Sequence, residues 1–274
     1  MVQKNKLILL NTPIGNISDT TPRVLQAIKE LNIIVAEDTR SFRKLCDLIG
    51  VSLSSKTLLS FHDASLNENA IIDHLKEQSI GYASEAGSPV VSDPAYKLAL
   101  KAIESGFEVE SISGISSVIN ALEVSCLPTT PFSFYGFFPR EKNKQKHLFS
   151  KWSSDGGTFI FFEGVSRVEK LCHLIHTSLP EAKVTIAREL TKKFEQIVRT
   201  SGEHIIDDLP SLVLKGEFVF VIYISKKSRR KRSSDLLDLA KNVLDKKGKK
   251  KELSKLLAQI LEQKASDIYE LISK

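Results

Sequence analysis

The sequence predicts an α/β protein of two lobes, with a mainly parallel N-terminal sheet, a mixed C-terminal sheet and a small helical C-terminal module. Three observations predict it. Over the first 112 residues, strand-like apolar runs alternate with helix-like stretches, the spacing of crossover units that build a parallel sheet. Near residues 184–200 two strand-like runs follow one another with no room for a helix, which requires an antiparallel pair in the second sheet. The last 50 residues are basic and carry short amphipathic pieces.

The first lobe reads as strand 7–12 and helix 22–31, strand 33–38 and helix 41–49, strand 57–62 and helix 67–78, strand 80–84 and helix 94–104, then strand 107–112 and helix 117–124. Thr21 and Pro22 supply an N-cap and a first-turn proline, and Leu25, Ile28 and Leu31 then share one face. Two prolines in Cys126-Leu-Pro-Thr-Thr-Pro131 exclude both a helix interior and a central strand, so this stretch reads as a linker. Beyond it, strands are expected at 132–138, 158–162, 184–189, 194–200 and 217–224, with the clearest helix at 167–178. Residues 226–232, six of them basic, mark a further boundary. Three short helices should follow around 236–244, 253–261 and 268–272, with Ser234 and Ser266 as N-caps, a helix-turn-helix-like module. The expected division is a domain at 1–126, a linker at 127–131, a domain at 132–225 and a basic tail at 226–274.

With 42% hydrophobic and 26% charged residues, the composition excludes a disordered or fibrous chain. No apolar run reaches the roughly 18–20 residues needed to span a bilayer, and neither a signal peptide nor an anchor is expected. Cys46, Cys126 and Cys172 are odd in number and far apart, which argues against a disulfide framework or a zinc site and for a reducing cytoplasm. The formal charge of +6 is uneven. Residues 225–274 hold 15 Lys and Arg against 7 Asp and Glu, a net of +8, which leaves −2 for the first 224 residues. A localised positive segment suits a polyanion such as RNA.

Ligands of open parallel sheets bind beyond the carboxyl ends of the strands. Three of those ends are polar and rich in turn residues: Asn11-Thr-Pro-Ile-Gly-Asn16, Ala36-Glu-Asp-Thr-Arg40, and the long loop Ser84-Glu-Ala-Gly-Ser-Pro-Val-Val-Ser-Asp-Pro94. Taken singly, each has a structural reading: Asp93 and Asp38 or Thr39 as helix caps, Gly15 and Gly87 as turn formers. Together, three polar loops on one edge exceed what short connections require. There is no Gly-x-Gly-x-x-Gly after the first strand, no Walker motif and no His/Cys cluster with metal spacing, so no metal site is expected. The six histidines are scattered; His62, at a strand end, is the one nearest this edge.

These loops, with Leu127-Pro-Thr129, Gly136-Phe-Phe-Pro139 and Arg188-Glu-Leu-Thr-Lys192, occur in one order. The chain resembles the ribosomal RNA small-subunit methyltransferase I family of the tetrapyrrole-methylase superfamily over about residues 7–224, and its tail resembles the helix-turn-helix extension of that family. The resemblance implies a two-lobed tetrapyrrole-methylase-like fold and a cytoplasmic homodimer. It further implies that S-adenosylmethionine lies in the cleft between the lobes and that the ribose 2′-hydroxyl of a cytidine in 16S ribosomal RNA, naked or in the small ribosomal subunit, is methylated.

Carried over by residue, the implied cofactor site consists of Pro13, Ala86, Gly87, Ser88, Val91, Ser116 and Ser117 from the first lobe, with Phe162 and Ala187 from the second. The sequence departs from the family pattern at Glu85, where Asp is usual, at Ala95, where Gly is usual, at Ser113-Gly114-Ile115, where Pro-Gly-Pro is usual, and at Glu163-Gly-Val-Ser-Arg167. A ribose hydroxyl needs alignment and a proton acceptor. The acids on the correct edge are Glu37, Asp38, Glu85 and Asp93, with Glu85 and Asp93 the first candidates because they lie on the cofactor loop. Glu37 and Asp38 are expected to pair with Arg40, while Arg40, Arg43, Lys44, Arg188 and Lys192 are expected on RNA phosphates. The competing readings are a tetrapyrrole or diphthine methylase of the same fold, a non-catalytic RNA- or ribosome-binding protein, and a metal-dependent phosphate-ester hydrolase.

Overall fold

The computed structural model describes residues 5–61, 68–226, 250–261 and 264–273. His62, the 226–232 boundary beyond Lys226, Ser234 and the expected helix at 236–244 lie outside the described residues. The first sheet contains β1 (Lys6–Leu10), β2 (Ile33–Ala36), β3 (Thr57–Ser60), β4 (Ile80–Ala83) and β5 (Glu108–Ile112), in the order β3-β2-β4-β1-β5. All of its pairings are parallel. β2 and β4 are buried along their whole length, which is why they read as unbroken apolar runs rather than alternating ones.

Successive side chains leave a strand on opposite faces. Leu9, Val35 and Tyr82 therefore pack with α3 (Glu68–Glu77) and α4 (Ala95–Glu104), while Leu10, Ala36 and Ala83 pack with α1 (Pro22–Glu30) and α2 (Thr39–Leu48). Thr21 caps α1 by accepting the Val24 amide, and Asp38 caps α2 by accepting those of Arg40 and Ser41.

The second sheet has the order β6-β7-β10-β8-β9, from β6 (Phe132–Phe137), β7 (Gly157–Gly164), β8 (Lys183–Arg188), β9 (Gln196–Ser201) and β10 (Glu217–Ile224). β6 and β7 are parallel and the other pairs antiparallel, including the hairpin β8–β9. β10 sends Phe218, Phe220 and Ile222 into an aromatic core with α7 (Val165–Ser178) and with Phe149 and Trp152 of α6 (Lys142–Asp155). Trp152 stacks on Phe159 with ring centroids 4.6 Å apart.

Its alternate residues, Val219 and Val221, pack instead with Val118, Ala121 and Leu122 of α5 (Ser117–Ser125). This helix follows β5 in sequence but lies on the second sheet, so the two lobes share a core and form one compact unit over residues 1–152 and 157–224. Neither α6 nor the short α8 (Ile205–Asp208) is anticipated by the sequence pattern.

The C-terminal unit contains α9 (Lys250–Leu261) and α10 (Ala265–Ser273), joined by Leu257, Ala258, Ile268 and Ile272. Ser266 lies inside α10 rather than at its cap, because the helix begins at Ala265 and the Ser266 hydroxyl donates to Asp267. No helix among the described residues is long and apolar enough to cross a membrane.

Candidate active site

β1 and β4 are adjacent and parallel, so the loops that follow them leave the same edge side by side. They are tied together. Thr12 N–H donates to the Gly87 carbonyl and Gly87 N–H donates to that of Thr12, both at 3.0 Å, and the Ser84 hydroxyl donates to the same Gly87 oxygen at 3.0 Å. The loop turns through positive φ at Gly87 (80°), Val90 (78°) and Ser92 (60°). Only the glycine adopts this geometry without strain, and a β-branched valine there is a marked outlier. Such strain persists where surrounding contacts over-determine it, as at binding sites.

The facing loop of the second lobe carries two more, Glu189 (51°) and Thr191 (66°). The two lobes touch here: Asn16 N–H donates to the Thr191 hydroxyl at 3.1 Å. Gly15 permits this approach, because a Cβ would fall 2.3 Å from Lys192 Cγ and 3.2 Å from the Leu190 carbonyl.

Between these loops lies a cleft of about 720 Å³. Of the expected cofactor residues, Pro13, Ala86, Ser88, Val91 and Ser117 line it from the first lobe, Phe162 and Ala187 from the second. Gly87 and Ser116 do not: Gly87 is engaged in its double bridge to Thr12, and Ser116 is the residue before the first turn of α5. Among the basic residues expected on phosphates, Lys44 and Lys192 reach the cleft wall. Arg40 points to solvent and pairs with Asp38 at 3.1 Å, and Arg43 is exposed on the same helix.

Arg188 requires a correction. It is 6% exposed, and its guanidinium donates to the carbonyls of Lys215 and Phe194, so it braces two loops and is not on a surface that meets RNA. Lys192 is held between Glu189 at 2.9 Å and Glu217 at 2.7 Å. Burial works against its charge, but the bonds to Glu217 and Glu189 outweigh burial and raise its pKa.

The geometry separates the four candidate acids at this edge. Asp38 is a half-buried helix cap whose carboxyl is held below the usual range by the Arg40 side chain and by the Ser41 and Arg40 amides. Asp93 accepts from the Tyr82 hydroxyl at 3.1 Å and from Ala95 N–H at 2.8 Å, so one of its oxygens is committed to the start of α4. The Tyr82 hydroxyl is in turn held protonated by burial and by the nearby Asp93 and Glu37 charges.

Glu37 lines the cleft beside Glu85 and Asp93 and accepts the Glu85 amide at 3.0 Å. Burial raises its pKa, helped by the negative charges of Asp93 and Glu85 and opposed by the Glu85 N–H. The expected pair with Arg40 does not form, because that cation goes to Asp38 instead. Of the four acids, Glu37 is thus the one that both lines the cleft and has its carboxyl pKa raised by burial and neighbouring charge. Glu217, which also lines the cleft, carried no signal in the sequence beyond an ordinary strand residue, and Phe137 stood out only as part of the Gly136-Phe-Phe-Pro139 motif, with no place in the expected site. Among the described residues, no group of three or more His, Cys, Asp or Glu side chains is arranged to hold a metal ion.

Comparison with known proteins bears on this arrangement. The family model of Tetrapyrrole (Corrin/Porphyrin) Methylases matches residues 6–206. A protein named ribosomal RNA small subunit methyltransferase I from Halalkalibacterium halodurans is 34% identical over 80% of this chain and 76% of its own length. One of the same name from Hydrogenobaculum sp. is 36% identical over 79% of this chain and 95% of its own. A crystal structure of diphthine synthase superposes with a TM-score of 0.61 at 15% identity, over 80% of this chain and 90% of that one, which bears on the fold alone. The chain thus belongs to the tetrapyrrole (corrin/porphyrin) methylase family, a family of methyltransferases, and within it groups with the proteins named ribosomal RNA small subunit methyltransferase I.

Proposed function

We propose that this chain transfers the methyl group of S-adenosylmethionine to the ribose 2′-hydroxyl of a cytidine in 16S ribosomal RNA. The observation that carries the proposal is the interlobe cleft, where a half-buried carboxylate of raised pKa faces a pocket of small and apolar side chains. The relatives' names support the RNA substrate.

The cleft fits the cofactor. Its volume of about 720 Å³ falls in the range of small-molecule sites, roughly 300–1,000 Å³. Ala86, Ser88, Ala187 and Gly15 leave space for close packing, while Phe162, Leu190 and Val219 supply apolar wall. When bound, S-adenosylmethionine supplies an electrophilic methyl carbon. Pro13, Val91 and Ser117 complete the cradle from the first lobe, and the Thr12–Gly87 bridge holds its two loops in register. Glu37 accepts the 2′-hydroxyl proton: it lines the cleft, and burial together with the Asp93 and Glu85 charges raises its pKa above the ordinary carboxylate value, which makes it the stronger base. Asp93 and Glu85 act on it by charge and position.

Arg40, Arg43 and Lys44, on one turn of α2, are assigned to RNA phosphates at the rim, and the basic tail to a further polyanion contact. An exposed stripe of Tyr96, Leu100 and Ile103 at i, i+4 and i+7 on α4 supports a homodimer. A ribosomal substrate puts the enzyme in the cytoplasm.

The test has two readouts. Addition of S-adenosylmethionine should raise the melting temperature. With a labelled methyl group, label should pass to small-subunit RNA and, after nuclease digestion, reside in 2′-O-methylcytidine. Label on a tetrapyrrole or a protein side chain would assign the fold another substrate, and no thermal shift would remove the cofactor assignment.

A further inference from the structure

The body of the protein has a net charge of −2, but its charges are not evenly spread. Beside the cleft lies a second groove, of about 760 Å³, between the start of α6 and the outer face of α7. Arg140, Lys142 and Lys146 line it from one flank, Arg167, Lys170 and His173 from the other. Its one lining acid is Glu163, which is buried and already bonded to Arg167. Among the described residues Lys142, Lys146 and Lys170 have no ion-pair partner, Arg140 interacts only through charge with Glu163, and all four are exposed. A concave surface lined with unpaired cations of one sign focuses field and recruits a polyanion.

The groove is continuous with the cleft, since Phe137, Glu163 and Gly164 line both. Phe137 stands at the junction with 60% of its surface exposed, unusual for a phenylalanine. It is presented by an irregularity in β6, where the register shifts between Phe134 and Phe137 and Gly136 takes a φ of 65°, and its ring is braced edge-on by Phe162 at 5.5 Å. A fixed, exposed aromatic at the end of a cationic groove is the arrangement that grips single-stranded RNA, with phosphates on the cations and a splayed base on the ring.

We propose that the α6–α7 groove is the track for the substrate strand, which lays its phosphates along Arg140, Lys142, Lys146 and Lys170 and turns one nucleotide over Phe137 into the cleft. The track rests on the RNA substrate proposed above. It gives the acidic body its own RNA contact, independent of the basic tail.

The test pairs a groove variant, Lys142→Glu/Lys170→Glu, with a control of equal charge change elsewhere on the body, Lys29→Glu/Lys183→Glu. Both keep the fold if their melting temperatures match the parent's, and a Lys142→Gln/Lys170→Gln variant serves if the reversal does not. Methyl transfer to small-subunit RNA is measured across a salt series, and S-adenosylmethionine affinity by calorimetry. The groove variant should raise KM for RNA at least tenfold and flatten the salt slope by about 1.4, roughly 0.7 for each phosphate no longer neutralised, with cofactor affinity unchanged. The control should match the parent.

Phe137→Leu, which keeps an apolar side chain but removes the ring face, should lower kcat/KM for RNA about tenfold. If the parent methylates RNA and the groove variant shows the control's KM and salt slope, the track is wrong and the substrate assignment stands. If the parent binds S-adenosylmethionine but no RNA, both fall together.

Discussion

Glu37→Gln separates proton acceptance from architecture. The amide keeps an oxygen to accept the Glu85 N–H now held at 3.0 Å, so the loop geometry is retained and only basicity is lost. Removing a positioned general base costs about 10²–10⁴ in rate, or about 3–6 kcal/mol at ~1.4 kcal/mol per decade. The stability effect has the opposite sense.

Burial, joined by the Asp93 and Glu85 charges, raises the folded-state pKa of Glu37 above its unfolded value. Its protonated form thus stabilises the fold in acid, and that contribution is lost as pH rises through the folded value. At neutral pH the ionised side chain is a liability that the glutamine removes. The variant should therefore lose turnover while its melting temperature at pH 7 stays equal to or above the parent's, and this stability difference should shrink in acid. Saturating single-turnover methyl transfer reports the chemical step, and calorimetry with S-adenosylmethionine, expected within threefold of the parent, excludes a binding defect. Turnover within threefold of the parent would refute the role of Glu37.

Three further outcomes follow from named contacts. Arg188→Gln should lower stability by about 2–4 kcal/mol, because two carbonyls lose a charged donor, yet leave the salt dependence of RNA binding as it was; a flattened salt slope would return Arg188 to the RNA surface. Gly114→Ala would place a Cβ 2.6 Å from Asn11 Cβ and 3.2 Å from the Asn11 carbonyl, so denaturant titration should show a loss of about 1–3 kcal/mol. Tyr96→Glu/Ile103→Glu puts charge on the exposed α4 stripe and should convert a dimer to a monomer in sedimentation; an unchanged dimer would move the interface elsewhere.

The parallel lobe was legible because β2 and β4 are buried on both faces and so appear as apolar runs separated by capped helices. The hairpin β8–β9 was legible from spacing alone. α6 was not: of its 14 residues only Phe149 and Trp152 are buried, so lysines dominate the pattern and no apolar stripe marks a helix. The site loops could be located, but not the direction each side chain takes. Gly87 and Arg188 lie in the right segments, yet one is spent on a backbone bridge and the other on the carbonyls of two loops, and both facts depend on tertiary contacts. Charge counted along the chain put all basic character in the tail. The groove arises only when α6 and α7, separated in sequence by β7, are brought face to face.

The central claim is methyl transfer to an rRNA ribose, and the most direct measurement is a map of 2′-O-methylation across 16S ribosomal RNA from cells with and without this protein, repeated with the Glu37→Gln form restored. The account predicts that one cytidine loses its ribose methyl without the protein, recovers it with the parent chain, and does not recover it with the variant. An unchanged map, or full recovery with Glu37→Gln, would contradict it.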